Sequence, residues 1–299
     1  PYWLMAGQHA NRLAATEEAT RLLTHGLTLC QQLPPSPARQ QEEAALHLAL
    51  SNALLGKGWD SDEREQTLAR AYALGQRAGD LGQVARGLVM LTNAPMERGQ
   101  LSQLAAIGQQ LQTLAQAPQV AASETLAAQL ALYVDYVWGS FYFCQGDLLM
   151  ARKHLTRVSS APDTTPDTLV EINLRVMSQV WLVYILGLLG YPDQALACSQ
   201  RTIAAMRSLE YALPLQFALS IGQVGTHYLR REPRAMQATL AELTALDTDA
   251  RLAVFQPWVM LFEGWLMAVI QHDADGLCSM QKAIQAWRSE EHTSELQSP

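Results

Sequence analysis

The sequence predicts an all-α fold, a stack of about seven antiparallel helix pairs with a period near 40 residues. Three observations predict it. Aromatic residues make up only 7% of the chain, while Ala, Leu and Gln are abundant. Such residues lose little freedom on entering a helix, and the runs of Val, Ile and Thr that favour strands are missing. The second observation is an internal repeat. Aligning Gly146 of WGSFYFCQGDLLMARKHL (138–155) with Gly190 of WLVYILGLLGYPDQALACSQ (181–200) also aligns Ala151 with Ala195, 44 residues apart in both cases. The third is that small residues recur inside the units. They let the two helices of a pair approach closely, and only a stack of pairs can bury the remaining apolar faces.

The elements follow in order. The first unit places Gly7 and Ala10 on one helix and Ala19 and Leu23 on the next. PPSP (34–37) reads as a loop between units. The second unit predicts helices over 41–55 and 62–78, joined by GKGWDS. In the third, Pro95 interrupts a predicted helix and should kink or end it. MERGQLSQLAAIGQQL (96–111) then turns at Gly99, with Leu104 in the place of Ala151. In the fourth, Gln145-Gly146-Asp147 turns the chain: Gly gives backbone freedom and Asp suits the positive start of a helix. APDTTPD (161–167) is a second loop between units. In the fifth, Gly190 ends one helix and Pro192 opens the next, where its missing N–H costs nothing. The sixth, YLRREPRAMQATL (228–240), has Pro233 inside a helix start and Ala235 at the Ala position. The seventh, IQHDADGLCSMQKAI (270–284), has Asp273 and Asp275 at a start and Gly276 at that position, with its helix ending at Trp287.

Several functional classes are excluded. A net charge of -7 gives no broad attraction to phosphate backbones. No GxxxxGK[ST] loop is present, and LLGKGWD (54–60) lacks its first Gly and its Ser or Thr. His9, His25, His47, His154, His227 and His272 form no metal-ligand spacing. Glu42, Glu43, Asp273 and Asp275 lie near predicted helix starts, where the dipole accounts for them. No GxSxG elbow occurs. The basic clusters ARKHLTR (151–157) and LRREPR (229–234) read as solvated faces. Cys30, Cys144, Cys198 and Cys278 are far apart and read as small buried hydrophobes in a reducing compartment. VWLVYILGLLGY (180–191) is too short to span a bilayer. The expectation is a cytoplasmic, non-enzymatic protein without metal, cofactor, nucleic-acid or membrane partner.

Gly139, Tyr142, Gly146, Asp147, Ala151 and Leu155, with Pro162 near the close of the unit, resemble the tetratricopeptide repeat pattern. That resemblance implies a right-handed superhelical solenoid whose first helices line a concave groove. Over nearly the whole chain, YWLMAGQHANRLAATEEATRLLTHGL, LLGYPDQAL and GWLMAVIQ resemble the C-terminal repeat region of large bacterial signalling ATPases. Those proteins often carry a class III adenylate or guanylate cyclase domain. The resemblance implies a non-catalytic interaction or scaffolding region. A ligand-sensing regulatory domain of a helical-repeat transcription activator is the alternative.

Carried over from the tetratricopeptide resemblance, the groove-facing positions include Tyr133, Tyr136, Phe143, Tyr184, Phe217, His227, Tyr228, Trp258 and Trp265. The set is aromatic and nearly uncharged. It suits an apolar peptide or protein segment, including one from the parent's own ATPase or cyclase domains. The chain begins at Pro1 and reads as a piece of a longer protein, with residues 1–287 forming the repeat domain. Residues 288–299, RSEEHTSELQSP, read as a non-native disordered tail, since Arg288 to Ser298 resemble an in-frame translation of a DNA sequencing adapter.

Overall fold

A recurring turn organises the chain. Gly99, Gly146, Gly190, Arg231 and His272 all have left-handed backbone, each where one helix ends and its antiparallel partner is about to begin. At Gly146 the N–H donates to the Phe143 carbonyl (3.0 Å), and the Asp147 N–H donates to the Tyr142 carbonyl (2.9 Å). These two bonds close the end of the first helix. The Asp147 carboxylate then accepts from the Met150 N–H at 3.0 Å and caps the second. Arg231 makes the same closure, with its N–H on Tyr228 and the Glu232 N–H on His227.

The computed structural model describes residues 1–13, 15–57, 61–161, 174–208, 212–246 and 255–292. Among them every regular element is helical. Seven antiparallel pairs can be followed, at roughly the 40-residue interval the sequence predicts. The first unit comprises Pro1–Leu55 and Trp59–Arg175. It holds α1 (Tyr2–Arg12) with α2 (Thr16–Gln32), and α3 (Pro37–Ala53) with α4 (Asp62–Ala78). Next come α5 (Leu81–Met90) and α6 (Asn93–Glu97), which together face α7 (Leu101–Ala115). After the short α8 (Pro118–Ala121), α9 (Glu124–Gln145) pairs with α10 (Leu148–Ser159). The second unit comprises Gly56–Gly58 and Val176–Pro299. Its pairs are α11 (Leu174–Leu188) with α12 (Pro192–Ser208), then α13 (Ala212–Phe217) and α14 (Gly225–Arg230) with α15 (Pro233–Leu246), and α16 (Gln256–Trp265) with α17 (Asp275–His292). A π-helical stretch, Ala218–Val224, joins α13 to α14, and another, Leu266–Ile270, extends α16.

Close approach within pairs has a common residue basis. A methyl group at Gly139 would lie 2.7 Å from Leu155 of the partner helix. Gly7 stands in the same relation to Leu23, and Gly264 to Met280, at the same sequence separation. Five residues past the turn, Leu104, Ala151, Ala195 and Met236 are fully enclosed. Met236, not Ala235, therefore holds the packing position of the sixth pair. The turn residue there is Arg231, and counting from it rather than from Pro233 sets the register.

Other differences have similarly local causes. Helix α3 starts at Pro37, not at 41, because the Ser36 hydroxyl accepts from the Arg39 N–H (3.1 Å) and Pro37 takes the first helical position. Glu42 and Glu43 therefore lie beyond the first turn. Glu43 is buried between Arg39 and Arg70 (3.8 and 3.4 Å), so ion pairing rather than the helix dipole accounts for it. The helix before Pro95 ends at Met90 and restarts at Asn93, which places the proline in a new first turn where its missing N–H is harmless. Helix α17 continues past Trp287 to His292, since Arg288 to His292 contain no breaker. Part of GKGWDS (58–60), most of APDTTPD, including Pro162, and residues 293–299 lie outside the described residues. No helix among the described residues is long and apolar enough to cross a membrane.

Candidate functional site

The first helices of the second unit carry two aromatic rows. Trp181 meets Phe217 edge-on at 5.9 Å, and Phe217 meets Phe255 at 6.1 Å. Phe217 and Phe255 are buried, so this inner row belongs to the core. The outer row runs through Tyr184, Tyr228, Phe262, Trp265 and Trp258. Tyr184 lies against Gly225, whose missing side chain leaves room for the ring. The Tyr184 phenol is pushed above its ordinary range by burial and by the neighbouring Tyr228 phenol. Tyr228 meets Phe262 at 5.5 Å and Trp265 at 5.3 Å, both edge-on. Trp258 stacks on Phe262 at 5.7 Å.

The outer row reaches the surface. Tyr228 is 40% exposed, and Trp258 and Trp265 are partly exposed. Leu188, Val269 and Ile270 add exposed apolar surface in the last turns of their helices. The helices that contribute Tyr228 and Trp265 each contain a π-helical stretch, a distortion often found at functional sites.

A polar latch borders Tyr228. His227 Nδ1 lies 2.9 Å from Glu232 Oε2, and the Arg230 guanidinium donates to Glu232 (2.8 Å) and to Asp193 (2.6 Å). The His227 hydrogen bond, with help from Arg230, holds the Glu232 carboxyl below its usual range. The latch ties the end of α14 to the start of α12. LRREPR is thus partly an ion-paired corner. In the same way Asp135 on α9 takes His154 (2.7 Å) and Arg157 (3.2 Å) from the ARKHLTR segment.

The structure divides the expected groove residues. Tyr133 and Tyr136 are 1% and 3% exposed, and Phe217 and His227 are also buried. They do not face an open groove. Helix α9 is packed by α5, α7 and α10, which leaves these tyrosines no open side, and Gln129 donates to the Tyr133 hydroxyl at 2.7 Å. Phe143, Tyr184, Trp258 and Trp265 are partly exposed, and Tyr228 is exposed. Of these, the second unit brings Tyr184, Tyr228, Trp258 and Trp265 together, while Phe143 lies in the first unit. Phe262, the centre of the outer row, escaped the sequence reading. Its only signal there is its spacing of one helical turn from Trp258 and Trp265.

Among the described residues no group of His, Cys, Asp and Glu could hold a metal ion. The four cysteines are free. Burial pushes the Cys30 and Cys198 thiols up and raises Cys144 to about 11, so these thiols are protonated at neutral pH. Of the four cysteines expected to be buried, Cys30 is buried, Cys144 and Cys198 are half-buried, and Cys278 is exposed, because it lies on the outer face of α17 with Leu277.

No protein-family model and no curated protein matches the sequence. Solved structures do match. One is the crystal structure of a Rap protein complexed with Competence and Sporulation Factor, with a TM-score of 0.61 at 10% sequence identity. The match covers 97% of this chain and 75% of the Rap chain. The chain therefore shares the all-α, tetratricopeptide-like helical-repeat fold of that protein.

Proposed function

We propose that the chain is a non-catalytic binding module and that the outer aromatic row of the second unit holds an apolar protein segment. The observation that carries this reading is the surface-reaching group Tyr228, Trp258 and Trp265, built on consecutive first helices of a helical-repeat fold. Rigid aromatic rings with little charge offer large contact area at low entropic cost. The Rap neighbour, captured with a bound factor, supports a binding role for the fold. On the resemblance of YWLMAGQHANRLAATEEATRLLTHGL, LLGYPDQAL and GWLMAVIQ, the module serves a larger bacterial signalling ATPase or nucleotide cyclase in the cytoplasm. The segment it holds then comes from that protein's own domains.

A selection of random peptides displayed on phage against the full chain tests the reading. Recovered peptides should be rich in Leu, Ile, Phe and Trp and carry little net charge. Peptides selected for an acidic C-terminus would point to a cationic clamp that this surface lacks, and would defeat the proposal.

A further inference from the structure

The first unit contains a cleft of about 600 Å³ between α4 and α7, both of them second helices of their pairs, with α5 as its floor. It is a different place from the aromatic row, which uses first helices of the second unit. Val84 and Leu88 of α5 are buried beneath it, and Leu114 closes one side. The rim is polar. Gln76 Nε2 donates to the Tyr72 hydroxyl at 2.7 Å, and that hydroxyl reaches Gln110 Oε1 of α7 at 3.5 Å. Gln109 and Thr113 continue the rim along α7.

We propose that this cleft binds a small, uncharged amphipathic molecule carrying an amide or similar polar group on an apolar body. The volume lies in the range of small-molecule sites. No Asp, Glu, Lys, Arg or His lines the cleft. A carboxylate or ammonium ion would thus be partly desolvated at the rim with no counter-charge to offset the loss. The rim glutamines offer both N–H donors and carbonyl acceptors, the complement of a neutral amide. The apolar body lies on Val84, Leu88 and Leu114, and the polar group meets the Gln76–Tyr72–Gln110 chain.

The test is a ligand-observed NMR titration of the full chain with octanamide, octanoate and octylammonium, which share one apolar body. Octanamide should bind saturably at one site, about tenfold or more tighter than either charged probe. Ala106 and Thr113 are exposed lining residues on α7. Ala106→Trp should fill the cleft and weaken octanamide about tenfold or more while the circular dichroism stays that of the wild type. Thr113→Trp, on the same helix, provides a second filling variant should the first disturb folding. The proposal is overturned if octanamide shows no saturable binding, if octanoate or octylammonium binds as tightly, or if a folded filling variant binds like the wild type.

Discussion

Gly139 and Leu155 show how much a single position decides. The helices of the fourth pair touch where one residue has no side chain and the other is fully enclosed. Gly139→Ala should cost about 1–3 kcal/mol in urea unfolding, because Leu155 is held on all sides and cannot yield freely. Wild-type stability for this variant would show that the pair has slack. The thiols make a separate prediction. Raised pKa values keep Cys30, Cys144 and Cys198 protonated, whereas Cys278 is exposed. Iodoacetamide at pH 8 should therefore label Cys278 first in mass spectrometry, and labelling of Cys144 should rise only as pH approaches about 11. Early labelling of Cys144 would contradict the packing around it. Small-residue positions of this kind are legible in a sequence because their repetition is visible. The burial of Tyr133 and Tyr136 is not, since a helical stripe of aromatics looks the same whether it faces a groove or a neighbouring helix.

Helix boundaries follow from turn chemistry, and most could be read in advance. Gly146-Asp147 and Gly190-Tyr191-Pro192 state both a stop and a start, and the structure places turns there. The boundaries that escaped prediction are those where ordinary residues take special roles. Arg231 and His272 adopt left-handed backbone that the sequence gives no reason to assign to them, so the sequence pattern alone sets the sixth repeat one residue out of register. The start of α3 depends on Ser36 inside a proline-rich stretch that reads as loop. Ser36→Ala should cost about 1 kcal/mol and fray the first turn of α3, measured by thermal unfolding and amide exchange. An unchanged melting curve would mean that Pro37 alone fixes the start. The two π-helical stretches have no local sequence signal. They depend on how consecutive first helices fit their neighbours.

At the scale of the molecule, composition and repeat period were enough to give the all-α helical-repeat fold. They were not enough to distinguish which aromatic rings reach solvent, because that depends on how each unit stacks its own pairs. Charge belongs to this scale too. With a net charge of -7 and its best basic clusters engaged by Asp135, Asp193 and Glu232, the chain should not shift duplex DNA in a gel at about 0.15 M salt. Retention of DNA under those conditions would contradict this reading. The central claim concerns the outer aromatic row of the second unit. Its most direct measurement is the affinity of a phage-selected peptide, by fluorescence anisotropy, for the full chain and for Tyr228→Ala and Trp265→Ala. Both substitutions should weaken binding about tenfold or more, since buried aromatic anchors dominate such contacts, while helicity stays at the wild-type level. Undiminished affinity in the two folded variants would contradict the account.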